Sequence, residues 1–378
     1  MHRSAGGLLG SLAVALTICT PVAAAAQDPP VPVRVRLGGQ AQIQFNTTSV
    51  DEEDVFPLID PDEDIATSTF ETRRIRLSVE VEIADWITGR IQPDFALGDL
   101  ELADAWLNLE FDEAAQLRIG QFKKPFSLLF LTSSSLILPI ERGVRIRGLD
   151  LALVREGVPL TVLDGTAVLG EEQKMLDALG YIGREIGAAL HGESGRWGYA
   201  LGIFNGSGAD ELDENDGKSA AGRVEYRFDR VPARLGLAGS YRATRDRLFG
   251  GPRRDLDGVA VSLDGEWGDF FRPGLHVLGE VVLGENPVDG ERLWGAQVWL
   301  ALFHALAGRR VEGIEPVFRV SYGNPSGARD GDGWLITPGV NLYLFRRNKL
   351  SLNWDAYVPR ANIADTEHAL RAQAQIYF

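Results

Sequence analysis

The sequence predicts an all-β protein, a transmembrane antiparallel β-barrel of about 16 strands with a long inward-folded loop. Two observations lead to this prediction. Segments of about ten residues alternate between apolar and polar side chains along most of the chain, which is the periodicity of a strand with two different faces. The connections between these segments alternate between short and long, as turns and loops do at the two rims of an outer-membrane barrel.

The first 26 residues have the composition of a secretory signal. A basic start at Arg3 precedes an apolar run from Leu8 to Cys19 and a small-residue end, which predicts cleavage after Ala26. The run is too short to span a bilayer. Removing Arg3 takes the formal net charge from −15 to −16 for the barrel domain, residues 27–378. This acidic balance argues against nucleic acid as a partner.

The strand pattern is regular from the start of the mature chain to its end. From Val33 to Phe45, apolar side chains share one face, while arginine and glutamine side chains share the other. In a membrane the apolar faces would contact lipid and the polar faces would line a lumen. The predicted segments lie near 33–45, 71–83, 87–96, 101–111, 116–122, 181–192, 197–204, 219–228, 233–243, 256–267, 274–283, 292–303, 312–322, 333–343, 349–358 and 367–378.

A soluble β-sandwich is the alternative fold, because its strands also alternate. A sandwich needs neither ten-residue strands throughout nor two classes of loop length. The final Tyr377-Phe378 pair also resembles the C-terminal aromatic signal of outer-membrane barrels. About 16 strands leave room for water inside a barrel, so a pore is expected.

Residues 123–180 interrupt the regular pattern. A connection of this length is usually functional or disordered, and its apolar stretch "LLFLTSSSLILPI" argues against disorder. We expect it to fold into the lumen, pack its apolar part on the wall and narrow the channel. Lys349 is expected at a rim, away from this constriction. The candidate constriction residues within the segment are Lys123, Lys124, Ser127, Arg142, Arg145 and Arg147.

Several motifs resemble those of the phosphate- and pyrophosphate-selective porins of the porin O and P family. They are "FETRRIRLSVE", "ELADAWLNLEF", "RIGQFKKPFSLLFLTSS" with "IERG", "REIGAAL", and "YALGIFNGSG" followed by "GRVEYRF". They stand in the family's order and at similar spacings, from about residue 33 to 228. The resemblance implies a 16-stranded barrel, commonly trimeric, with an inward-folded loop, a lysine cluster that binds anions and a wall of arginines.

Carried over onto this sequence, the resemblance implies specific residues. The constriction lysine and serine fall on Lys124 and Ser127, with Lys123 as the alternate, and Asp94 is an inward acid facing them. Arginine offers several donors to phosphate oxygens, while lysine acts as a compact point charge. The implied arginine wall consists of Arg34, Arg36, Arg74, Arg76, Arg118, Arg223, Arg227, Arg234 and Arg242.

The function expected from this sequence is passive diffusion of small anions, with phosphate or polyphosphate as candidate solutes, across the outer membrane of a Gram-negative bacterium. A general pore with weak selectivity or a cation preference is the alternative, because acids such as Glu80, Asp104 and Asp264 share the lumenal faces. A barrel enzyme would need a catalytic set near one rim, and the histidines are scattered. An adhesin would not need a long basic loop. Outer-membrane lipid, small anions and a homotrimer are the expected partners, and no cofactor or metal is expected.

Overall fold

Sixteen strands form one closed antiparallel barrel in the computed structural model. The structure describes residues 33–48, 68–98, 100–144, 175–206, 208–209, 217–243, 245–247, 253–255, 257–287, 290–327, 332–360 and 366–378. The expected signal, residues 1–26, and the candidates Arg145 and Arg147 lie outside these residues. Each barrel strand pairs with the next one along the chain, and the last pairs with the first.

The barrel strands account for most of the described residues. They are β1 Arg34–Thr48, β2 Ser68–Ala84, β3 Ile87–Asp94, β4 Glu101–Asp112, β5 Ala115–Lys123, β6 Arg184–Ser194, β7 Trp197–Phe204, β8 Ser219–Arg227, β9 Ala233–Arg242, β12 Gly258–Trp267, β13 Gly274–Glu285, β14 Arg292–Ala305, β15 Gly313–Asn324, β16 Gly333–Phe345, β17 Asn348–Pro359 and β18 Glu367–Tyr377. Between β9 and β12, a separate two-stranded sheet pairs β10 Arg245–Arg247 with β11 Arg253–Asp255.

The two-residue alternation in the sequence becomes the inner and outer faces of the wall. On β12, Val261 and Leu263 are exposed on the outside, whereas Ser262 and Asp264 are buried on the inside. Lipid offers no hydrogen bonds to the backbone, so a sheet that crosses it must close on itself. Each of the sixteen predicted segments overlaps one barrel strand, and the predicted all-β antiparallel barrel of about 16 strands is confirmed.

The seam of the barrel joins the two ends of the described chain. β1 and β18 pair over nine residue positions, from Gln40 with Tyr377 to Thr48 with Ala369. The backbones of Gly39 and Phe378 exchange two hydrogen bonds, of 3.0 and 3.1 Å. The terminal phenylalanine is therefore part of the closure.

The described parts of the connection between β5 and β6, residues 124–144 and 175–183, contain two short helices, α1 (Leu128–Leu131) and α2 (Met175–Ala178). Ser127 caps α1, and its Oγ accepts a hydrogen bond from the Phe130 N–H. Apolar side chains of α1 and of the stretch after it pack on the inner wall, where Leu129 and Ile137 share a buried cluster with Trp299 of β14. Within the described part of the chain, no helix is long and apolar enough to cross a bilayer.

Candidate functional site

Residues 132–141 are bonded to the polar inner faces of strands on both sides of the seam. The Gln40 amide donates to Ser134 Oγ at 2.7 Å, and the Gln42 amide donates to the Ser134 carbonyl at 3.1 Å. From β18, the Gln375 amide donates to the carbonyl of Ser135 at 3.0 Å. Gln42 and Gln375 thereby satisfy main-chain carbonyls that would otherwise be buried without partners.

Three more strand side chains reach main-chain carbonyls of the same stretch. They are Asn341 to Leu138 at 2.9 Å, Lys349 to Ile137 at 2.7 Å and Arg319 to Glu141 at 3.0 Å. The expectation that Lys349 lies at a rim, away from this segment, is therefore wrong for its ammonium group, which is buried. The backbone of Lys349 is near the turn, but its long side chain extends inward to the segment.

Glu141 joins the segment to β2 through a buried carboxylate. Its oxygens accept from Arg74 at 3.2 Å, from Arg73 at 3.0 Å and from the Gln44 amide at 3.1 Å. The Glu141 side chain is 1% exposed and that of Arg74 is 7% exposed. Because breaking a buried ion pair leaves an uncompensated charge, this contact is a strong attachment point of the segment.

Lys124 is neutralised by a partner on β6. Its Nζ lies 2.7 Å from Glu185 Oε1 and donates to the Gly180 carbonyl, also at 2.7 Å. Burial lowers the pKa of Lys124, and the Glu185 carboxylate opposes that shift. The contact ties the two described ends of the connection to the wall.

Lys123 and Arg142 converge on the carbonyls at the end of α1. Lys123 Nζ donates to the Phe130 carbonyl at 2.6 Å, and Arg142 Nη1 donates to the same oxygen at 2.6 Å. Carbonyls at the end of a helix are unsatisfied and attract cations. Burial, followed by the positive charge of Arg74, lowers the pKa of Arg142 to about 9.

Lys123 lines a cavity of about 340 Å³, which we call the basic cavity. Five basic side chains and one carboxylate face it. They are Arg76, Arg90, Lys123, Arg184, Arg347 and Asp104.

The basic cavity retains an excess of positive charge after its ion pairs are counted. Asp94 pairs with Arg76 at 2.6 Å, Glu80 with Arg90 at 3.2 Å and Asp104 with Arg184 at 2.8 Å. Five cationic groups against these three carboxylates leave an excess of two positive charges. Asp94, the expected inward acid, also accepts hydrogen bonds from the Ile75 and Ala96 N–H groups.

Most arginines of the implied wall are paired with carboxylates. Within the described part of the chain, at least seven of the nine have such a partner: Arg34 and Arg36 with Glu82, Arg74 with Glu141, Arg76 with Asp94, Arg223 with Asp264, Arg227 with Glu193 and Arg234 with Glu266. Arg242 donates to the Leu179 carbonyl at 2.7 Å. Arg118 lies 4.5 Å from the ring centroid of Trp106 and has no carboxylate within 4.0 Å among the described residues.

Sequence reasoning did not include Arg90, Arg184 and Arg347 in the site. Arg90 shares a strand face with Asp94, which was a usable signal. Arg184 is in register with Lys123 across β5 and β6, and that pairing across a long connection cannot be read from the sequence. Arg347 stands in a short turn and contacts Ser135 Oγ at 3.3 Å.

Comparisons with known proteins agree with this geometry. A family model described as phosphate-selective porin O and P matches residues 51–262. The chain is similar in structure to an anion-selective porin from Comamonas acidovorans, with 13% identity and a TM-score of 0.58, over 92% of this chain and 100% of that chain. No curated protein sequence matches the chain.

Two further solved structures are similar to the chain. The outer membrane channel DcaP of Acinetobacter baumannii is 10% identical with a TM-score of 0.57, over 92% of this chain and 97% of that chain. OmpT of Vibrio cholerae in a trimer form is 12% identical with a TM-score of 0.55, over 92% and 99%. At such identities the likeness establishes the fold alone.

Proposed function

Because the chain belongs to the phosphate-selective porin O and P family, we propose that this outer-membrane porin of a Gram-negative bacterium favours small anions, with phosphate or polyphosphate as candidate solutes. Residues 1–26 are its export signal in this proposal, and residues 123–180 are its constriction loop. The excess positive charge of the basic cavity is the observation that carries the proposal.

Lys123 is the centre of the proposed anion path. Its ammonium is held by main-chain carbonyls, and no carboxylate lies within 4.0 Å of it among the described residues. The carbonyls carry no formal charge, so these contacts place no negative charge beside the ammonium. Neighbouring guanidinium groups of Arg76 and Arg184 add donors that suit phosphate oxygens. A row of such weak sites lets an anion enter without being trapped, as conduction requires.

A general pore with weak selectivity or a cation preference is the second candidate. The ion pairs of seven wall arginines favour it, because paired charges add little to the field along the pore. Both candidates keep the same barrel and differ in which charges dominate at the constriction.

The reversal potential across a KCl gradient in a planar bilayer separates the two candidates. We expect the sign that corresponds to chloride permeation, and we expect millimolar phosphate on one side to reduce the chloride current. The excess charge around Lys123 is the reason for both results. A potassium-selective reversal potential without phosphate block would reject the anion proposal and support the general pore.

We also propose that the chain assembles as a homotrimer. The family resemblance implies this state, and the similar OmpT structure is described as a trimer form. Light scattering of the protein in mild detergent should give three times the mass of one mature chain. A mass of one chain in the same detergent would contradict the trimer.

A further inference from the structure

A second cavity, of about 600 Å³, lies between β5, β6, β7 and β8, and we call it the aromatic cavity. Its volume is within the roughly 300–1,000 Å³ of small-molecule sites. Lys123 lines one end of it, and Glu113, in the turn between β4 and β5, lines the other. The cavity therefore runs from the constriction toward the short-turn rim.

The charges at the rim end of the aromatic cavity are largely paired. Arg227 bonds to Glu193 at 2.7 Å and to Glu225 at 3.0 Å. Arg223 bonds to Asp264 at 2.5 Å. The cations that line the cavity without a carboxylate within 4.0 Å, among the described residues, are Arg118 and Lys123. A ligand's negative charge is therefore favoured at the inner end.

The guanidinium of Arg118 lies close to two aromatic rings and can donate hydrogen bonds to a ligand. Its guanidinium carbon lies 4.5 Å from the Trp106 ring centroid and 5.8 Å from that of Phe122. Its Nε atom is buried and has no hydrogen-bond partner among the described residues. Buried donors without a partner are rare in folded proteins, and a guanidinium offers carboxylates a planar two-donor edge.

Apolar side chains form part of the wall beside Arg118, next to the polar Gln116 and His191. Phe122 packs edge-on against Phe204, with 5.4 Å between ring centroids. Pro125 and Leu131 complete this apolar lining near Lys123.

We propose that the aromatic cavity binds a monovalent organic anion with a flat apolar body, of the aromatic carboxylate class, with its carboxylate on Arg118. The inference rests on the proposed anion path and names a further solute class for it. The ring of such an anion packs against Phe122 and Leu131, which strengthens binding by apolar burial. Inorganic phosphate has no apolar face and would lose hydration against these walls.

Titration calorimetry on the porin purified in detergent tests this site. Sodium benzoate, sodium acetate and sodium phosphate are compared at equal ionic strength. We expect a Kd for benzoate at least about tenfold below those for acetate and phosphate, because only benzoate combines a carboxylate with a ring. Phosphate binding as tight as benzoate binding would overturn the proposal.

Two variants locate the site, and a third controls for loss of charge. We expect Arg118→Gln to weaken benzoate binding about fivefold or more, and Leu131→Ser, in the apolar lining, to weaken benzoate but not acetate. Arg272→Gln removes an exposed arginine paired with Asp269 and should leave benzoate binding unchanged. If Arg118→Gln does not fold, Leu131→Ser decides alone, and wild-type benzoate binding by that variant would overturn the proposal.

The KCl reversal potential separates this inference from the proposed function. An anion-selective channel that binds benzoate no better than acetate keeps the proposed function and overturns the aromatic site. A potassium-selective channel that binds benzoate through Arg118 supports the site and overturns the anion preference.

Discussion

Replacing Lys123 by glutamine should lower the chloride-to-potassium permeability ratio by up to about thirtyfold, since one unit charge about 4 Å from an ion is worth about 1 kcal/mol in water, with opposite signs for the two ions. Glutamine retains a donor for the Phe130 carbonyl, so the end of α1 keeps a hydrogen bond. Lys123 is chosen because it lines both the basic and the aromatic cavity. The ratio follows from reversal potentials in planar bilayers.

Two other variants give this prediction its controls. Arg272→Gln removes the same charge at an exposed position and should leave the ratio unchanged. Lys124→Gln should affect stability more than selectivity, because it leaves Glu185 buried with no opposite charge, at a cost of about 3–5 kcal/mol. Equal changes in the permeability ratio from Lys123→Gln and Arg272→Gln would show that Lys123 contributes no more to ion selectivity than an exposed arginine does.

Replacing Glu141 by glutamine should loosen the segment after α1 and destabilise the barrel by about 3–5 kcal/mol, the range for breaking a buried ion pair. Arg74 would stay buried and lose the oxygen that it contacts at 3.2 Å. With the segment partly released, we expect a larger single-channel conductance and more current noise. Single-channel recording and urea unfolding of the folded protein measure the two effects.

An exposed acid provides the comparison for Glu141. Asp269→Asn breaks the solvent-exposed pair with Arg272, and pairs of this kind contribute little to stability. We expect its conductance and urea midpoint to match those of the wild type. Wild-type conductance and stability in Glu141→Gln would mean that the Glu141 contacts do not hold the segment.

The strands were predictable because each has one face toward lipid and one toward the interior. The segments predicted at 197–204 and 274–283 correspond to Trp197–Phe204 and Gly274–Glu285. This agreement follows from a two-residue period that a membrane imposes on every strand. The partners of residues 124–144 were not predictable, because side chains outside a strand follow no such period.

In the candidate site, the two-residue alternation of side chains along β5 breaks down. Arg118 and Lys123 line the same cavity, although strict alternation places residues five apart on opposite faces. Between them the backbone departs from regular β geometry at Gly120, whose φ is +125°. A Cβ at Gly120 would lie 2.2 Å from the Ala105 carbonyl oxygen, so glycine is required there. Gly120 can be read from the sequence, but the change in side-chain direction that its backbone conformation permits cannot.

The pairing of the first strand with the last determines when this protein can finish folding. Gln42 and Gln375 bond across the seam at 2.7 Å although 333 residues separate them. Contacts so distant in sequence form slowly, because the chain loses much conformational freedom before they contribute. Until β18 pairs with β1 and β17, each of these two strands has an unpaired edge, which is prone to aggregation. The nascent chain therefore needs protection during its whole transit to the membrane.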